Sequence, residues 1–277
     1  LYNQWIVEEI IKNALMEDMN YGDLTTDTLI DEHSMTKARM TAKEEGVIAG
    51  LPVAERVFHL IDGEICFIPF KKDGDTVKNG EDIAEIRGRT RSILKGERVA
   101  LNLIQRMSGI ATQARSYADA VRGYDTRIAD TRKTTPGLRI LEKYAVRVGG
   151  CYNHRFNLSD GVMIKDNHIK AVGSITKAIE RARRHVPHTV KIEVEVETLE
   201  QLQEALEAKA DIIMLDNMDT DTMKQAVAMA KGKVLLEASG NITKERLKEI
   251  AQLGIDVISV GALTHSVKAM DISLNIL

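Results

Sequence analysis

"KIEVEVETLEQLQEALEAKADIIMLD", Lys191 to Asp216, holds a strand, a helix and a second strand in one unbroken run. In "KIEVEV" the side chains alternate, so Glu193, Glu195 and Glu197 share one face by the period of two. The spacing predicts a helix over 198–209, and "DIIML" then forms a short apolar strand. A strand, a helix and a strand joined this closely make a parallel pair.

The same grammar extends in both directions. Upstream lie "RIADT" with a helix over 138–148, and "VMIK" with a helix over 174–185. Downstream lie "DIIML" with a helix over 219–230, "VLLEAS" with a helix over 243–253, and "DVISVG". Strand ends fall near Thr131, Lys165, Glu195, Asp216, Ser239 and Gly261. The last spacings are nearly constant, which favours an α/β barrel over a doubly wound sheet. Six strands rather than eight predict an open, incomplete parallel barrel. The nucleotide-binding alternative needs G-x-G-x-x-G after the first strand, and "RKTTPG" stands there instead.

The first third of the chain reads differently. A helix is expected over 2–18, then the strand-like pieces "KARMTAKEEGVIAG", "EICFIPF" and "DIAEIRG", with a polar turn between the last two. These pieces read as a structural β-sandwich; a carrier function is not expected, because Lys78 lacks the flanks of a carrier's hairpin-tip lysine. A second helix is expected from Lys95 to Ala120, linking the two parts and tolerating Gly109 at a cost of about 1 kcal/mol relative to Ala.

Composition narrows the function. The net charge is −3, with 38 Lys+Arg against 41 Asp+Glu, which argues against a general nucleic-acid or membrane-surface binder. Yet Arg127, Arg132, Lys133, Arg139, Lys143, Arg147 and Arg155 crowd one stretch, opposed only by Asp130 and Glu142. Such a cluster suits a small, multiply charged anion. The two cysteines form no disulfide framework and suggest a reducing, cytoplasmic setting. No run of 18 apolar residues occurs, so no membrane span is expected.

In barrels the chemistry gathers at the carboxyl ends of the strands. Those ends deliver Arg132 and Lys133, then His154, Arg155 and Lys165, then Glu195 and Asp216. Ser239-Gly240 and Gly261-Ala262 come last, each before a helix, where free N–H groups favour a phosphate. His154, beside Arg155, reads as a further donor toward an anion. A zinc site is not expected, because His154 and His168 lack partners at ligand spacing.

The motifs "GERVALNLIQRMSGIAT", "DTRKTTPGLR", "GGCYNHRFNLSDGVMIKDNHI", "EVEVE", "LDNM", "EASGNI" and "GIDVISVGALTHS" resemble those of the quinolinate phosphoribosyltransferases over nearly the whole chain. The resemblance implies an amino-terminal α/β sandwich domain, 1–112, completed by the last strand at about 266–277, an open α/β barrel, 113–265, and a homodimer or an assembly of dimers with a shared active site. It implies transfer of phosphoribose from phosphoribosyl pyrophosphate to quinolinate with loss of CO₂, in NAD biosynthesis, with Mg²⁺. By the same resemblance Arg98 (from the neighbouring subunit), Arg132, His154, Arg155 and Lys165 form the quinolinate pocket. Lys133 meets the pyrophosphate, and Glu195 and Asp216 serve the ribose and the Mg²⁺. Ser239, Gly240, Gly261 and His265 cradle the 5′-phosphate. Two alternatives stay open at this point: a lyase forming a Schiff base on Lys165, and a barrel paralogue associated with molybdenum transport.

Overall fold

The computed structural model describes residues 3–230 and 232–277. Tyr2, counted in the expected first helix, lies outside them. In chain order the strands are β1 Met35–Ala42, β2 Gly46–Val47, β3 Cys66–Pro69, β4 Thr76–Val77, β5 Asp82–Arg89, β6 Arg127–Ala129, β7 Val162–Ile164, β8 Ile192–Val196, β9 Ile212–Asp216, β10 Leu235–Ser239, β11 Val257–Ser259 and β12 Ile272–Ile276. The chain divides into two compact units. One is Leu1–Arg115 with Thr134–Gly150 and Ala262–Leu277; the other is Ser116–Lys133 with Cys151–Gly261. The sequence reading had set the divisions at 112/113 and 265/266. It had also given the helix near 138–148 to the barrel, whereas Arg139–Val148 clusters with the first unit.

The first unit is built on an antiparallel sheet of order β12-β1-β5-β3. Alternation explains β1, whose Ala38, Met40 and Ala42 are fully buried while their neighbours face outward. β12 pairs antiparallel with β1, Ala38 opposite Ile276. The helix Leu51–Ile61 has no side-chain cap of its own. Asp73 supplies one from a distance, taking the N–H groups of Gly50 and Leu51 at 2.9 and 3.0 Å.

The long helix spans Thr90–Ala120 and starts five residues before its expected Lys95. Its buried stripe includes Ile93, Val99, Leu103, Ile104, Met107 and Ile110. Gly109 is more than a tolerated cost. A Cβ at that position would stand 2.2 Å from the carbonyl oxygen of Lys268, so only glycine lets that backbone lie against the helix. From the same helix Arg106 donates to Glu142 Oε1 through Nε and NH2, at 3.1 and 2.8 Å. Its NH2 also reaches Thr135 Oγ1 and the Thr264 carbonyl. Glu142 is fully buried, and Thr135 N–H donates to its other oxygen at 3.2 Å.

The second unit holds a six-stranded sheet of order β6-β11-β10-β9-β8-β7, with every neighbouring pair parallel. A parallel bridge from Ala129 to Tyr152 extends it beyond β6. The sequence predicts an open, incomplete parallel α/β barrel of six strands, and six parallel strands in one sheet are found. Ile213, Met214 and Leu215 are buried in succession, as in a strand covered on both faces. The helices Ile175–His185, Leu199–Glu207 and Thr220–Ala230 fall where the spacing put them. The helix expected over 243–253 begins as a 3₁₀ turn, Lys244–Arg246, before Leu247–Gln252.

Candidate active site

The carboxyl ends of β7, β8 and β9 bring three charged side chains together. Lys165 follows β7, and its Nζ lies 2.5 Å from Oε2 of Glu195 on β8. Asp216 closes β9. Burial, and next the negative charge of Glu195, push its carboxyl above the usual range, against the opposing pull of Asn217 and Lys165. Two carboxylates that repel each other beside one ammonium can accept hydroxyl groups or a cation.

Arg132 and Arg155 form a second centre. Burial, and next the positive charge of Arg132, hold the Arg155 guanidinium below its ordinary value, partly offset by Glu193. Arg155 NH1 donates to the Gly161 carbonyl at 2.9 Å. Its Nε is buried without a hydrogen-bond partner. Guanidiniums set to repel one another are an arrangement that an anion relieves. Lys133 is exposed, and its N–H donates to Thr131 Oγ1.

The segment carrying Arg155 is pinned by Asp130, which is fully buried. Asp130 accepts the Asn153 side-chain amide at 2.7 Å and the His154 N–H at 2.8 Å. His154 turns inward. Its Nε2 lies 3.2 Å from Glu193 Oε2 and 3.4 Å from Glu237 Oε1, and both carboxylates are buried. Burial lowers the His154 pKa, but Glu193 and Glu237 outweigh it and raise the group to about 10. A geometric observation opposes that charge: His154 Nδ1 accepts the Arg155 N–H at 2.7 Å, and a doubly protonated ring has no lone pair to do so. The hydrogen bond is the more direct constraint, and it places the ring proton on Nε2.

Among the described residues one group, His154, Glu193 and Glu237, has the composition and spacing of a cation site. A ligating histidine normally donates its other ring N–H to an acceptor. Here that nitrogen accepts, so the trio does not fit a metal. Glu195 and Asp216 fit one better, since their mutual repulsion is what a divalent cation removes.

His154, Arg155, Glu193 and Glu237 line a cavity of about 540 Å³ that also reaches Arg127 and Val257, the first residues of β6 and β11. The sequence placed the chemistry at the carboxyl ends of the strands. Because residues 151–161 run beside the sheet edge, His154 and Arg155 also border this open cavity.

The turns after β9 and β10 interlock. Asn217 N–H donates to the Ser239 carbonyl at 3.0 Å, and Asn241 Nδ2 to Asn217 Oδ1 at 3.3 Å. Gly240 has φ +89°, and a Cβ on it would meet Asn217 Oδ1 at 2.3 Å. Gly261 ends the second unit. Arg98, Arg139 and His265 belong to the first. Arg98 is exposed, Arg139 donates to Thr134 Oγ1, and His265 Nδ1 lies 2.6 Å from Ser266 Oγ.

Sequence reasoning passed over Asp130, Glu193 and Glu237 as site residues. A signal existed for the last two: one period-two step back from Glu195 and from Ser239 reaches Glu193 and Glu237 on the same faces.

Comparison with known proteins agrees with this architecture. The family profile for the quinolinate phosphoribosyl transferase N-terminal domain matches residues 23–108, and that for its C-terminal domain matches residues 110–275. A probable nicotinate-nucleotide pyrophosphorylase [carboxylating] of Bacillus subtilis (strain 168) is 48% identical over 274 residues, 99% of this chain and 94% of that protein. The solved structure of NadC from Streptococcus pyogenes has 47% identity and a TM-score of 0.95, covering 99% of this chain and 98% of that one. The nicotinate-nucleotide pyrophosphorylase structure from Francisella tularensis has 40% identity and a TM-score of 0.95, covering 100% and 98%. With both domain profiles matched along its length and relatives at this identity, the chain belongs to the quinolinate phosphoribosyltransferase family.

Proposed function

We propose that the protein transfers phosphoribose from phosphoribosyl pyrophosphate to quinolinate and releases CO₂, giving nicotinate mononucleotide and pyrophosphate for NAD biosynthesis. The observation that carries this reading is a pair of half-buried guanidiniums, Arg132 and Arg155, close enough to repel one another, which suits a dicarboxylate. Arg132 and Arg155 clamp the carboxylates in bidentate forks, and Lys165 adds a third positive charge. The ring nitrogen attacks the anomeric carbon as pyrophosphate leaves. Glu195 and Asp216 support the positive charge that develops on the sugar, and Lys133 neutralises the departing pyrophosphate. The quaternised nitrogen then draws the electron pair left when the adjacent carboxylate departs as CO₂, and a proton from water completes that ring carbon. No strong general base is needed.

Glu195 and Asp216 would hold Mg²⁺, which when bound supplies positive charge to the phosphates. Ser239, Gly240 and Gly261 receive the 5′-phosphate on backbone N–H groups, and Gly240 permits the close approach. Arg98 completes the quinolinate pocket of a neighbouring subunit in a homodimer or an assembly of dimers. A reducing, cytoplasmic setting is supported by a sequence with only two cysteines, Cys66 and Cys151.

The Schiff-base alternative is disfavoured because Lys165 is committed to its ion pair with Glu195. The decisive experiment is a coupled assay for nicotinate mononucleotide from quinolinate and phosphoribosyl pyrophosphate. Formation of product supports the reading; its absence with intact folded protein refutes it.

A further inference from the structure

The long helix Thr90–Ala120 carries Arg106, Gly109 and Gln113 at steps of three and four, on one face. That face lies against the segment 262–268. Gln113 Nε2 donates to the Ala262 carbonyl at 2.6 Å and Arg106 NH2 to the Thr264 carbonyl at 2.9 Å, while Gly109 admits the Lys268 carbonyl. The same Arg106 NH2 donates to Thr135 Oγ1 at 3.1 Å, and with Nε it reaches Glu142 Oε1. One guanidinium thus holds two stretches of chain that are far apart in sequence.

Both stretches continue from residues of the proposed site. The chain passes from the second unit to the first after Lys133, and again after Gly261. Thr135 stands just beyond the first crossing and Thr264 just beyond the second. In the function proposed above, Arg132 serves quinolinate, Lys133 the pyrophosphate and Gly261 the 5′-phosphate.

Burial makes this anchor stiff. Glu142 and Thr264 are both fully buried. A buried carboxylate must keep its partners, and a buried carbonyl its donor. Displacing Thr135 would take its N–H from Glu142 Oε2, where it donates at 3.2 Å. Displacing Thr264 would take its carbonyl from Arg106 NH2. The short link between Thr135 and Glu142 is itself bonded: Leu138 N–H donates to the Thr135 carbonyl, and Glu142 N–H to the Leu138 carbonyl, each at 3.0 Å. Lysine could not replace Arg106, because a single ammonium lacks the fork that spans these acceptors.

We propose that Arg106 and Glu142 are positioning residues for both substrates: their buried ion pair anchors the loop that follows Arg132 and Lys133 together with the turn that follows Gly261. Neither residue is assigned a contact with substrate. The substrates given to the two segments rest on the function proposed above; the anchor itself does not.

The first test is hydrogen exchange on ligand-free protein, read by mass spectrometry. The double variant Arg106→Met/Glu142→Leu removes both charges at once, so no buried ion is left unpaired. Exchange should quicken about tenfold over 134–138 and over 262–268 together, while β8 and β9 keep their protection. Faster exchange in one segment alone, or in neither, overturns the shared anchor. If the double variant does not fold, Arg106→Lys, which keeps a positive charge beside Glu142, is read by the same criterion. A wild type that fails to turn over quinolinate removes the functional reading, and the exchange result still decides the anchor.

The second test is kinetic. In Arg106→Lys the KM for quinolinate and the KM for phosphoribosyl pyrophosphate should both rise about fivefold, with kcat within about threefold of wild type. A merely structural role would lower the amount of active enzyme, so that kcat falls and both KM values stay. That pattern, or a rise for one substrate only, overturns the positioning role.

Discussion

Lys165 Nζ and Glu195 Oε2 lie 2.5 Å apart across the ends of the neighbouring strands β7 and β8. In the function proposed, a carboxylate entering the site competes with Glu195 for that ammonium. Glu195→Gln removes the competitor and also a support for positive charge on the sugar. Quinolinate should bind a few-fold more tightly by calorimetry while kcat falls about 100-fold, the scale of losing one electrostatic contact to the transition state. Weaker binding with unchanged kcat would contradict the assignment.

Arg132→Lys keeps the charge and loses the planar fork. We expect kcat/KM for quinolinate to fall about 30- to 100-fold, the equivalent of one charge-assisted hydrogen bond. The KM for phosphoribosyl pyrophosphate should change little. Steady-state kinetics with each substrate varied in turn will show whether the loss is confined to quinolinate.

A shared site predicts complementation. Arg98→Ala and Lys165→Ala subunits, each inactive alone, should regain part of the wild-type activity when mixed and allowed to exchange. No recovery after exchange, verified by mass spectrometry of mixed dimers, would place Arg98 outside its neighbour's pocket.

Gly240→Ala should act on both stability and donor binding. The left-handed backbone at φ +89° and the contact with Asn217 together should cost roughly 2 kcal/mol or more. Thermal melting should show the loss, and the KM for the phosphoribosyl donor should rise more than that for quinolinate.

The acid limb of stability should involve Glu85. Its pairing with Arg39 at 2.6 Å, and next with Arg87, holds its carboxyl below the ordinary value of 4.5. A lowered folded pKa gives stability that is present above the unfolded value and lost as pH falls through the folded one. Wild-type stability should therefore drop below about pH 4.5. Glu85→Gln should be less stable at pH 7 and show a flatter acid limb in urea titrations.

Local patterns carried much of this molecule. The alternation in "KIEVEV" and the even spacing of Glu195, Asp216 and Ser239 located the strand ends from neighbours in the chain alone. So did the polar and glycine-rich turns that follow them. What escaped depends on distant partners. Nothing near Gly109 announces that Lys268 will pack against it. Nothing in "RILEKYAVRV" tells that Glu142 will be buried against Arg106 and carry its helix into the first unit. His154 shows the same limit: nothing in "YNHRF" tells that its Nδ1 will accept the Arg155 N–H.

β12 lies against β1, yet residues 90–271 separate it from β5 in the chain. During synthesis the flank of β1 therefore waits, unpaired, while the whole parallel sheet is made. Such an open flank invites pairing with other nascent chains. Shortening the chain before Ile272 would make that exposure permanent, and aggregation on expression, rather than a loss of catalysis, would be its first symptom.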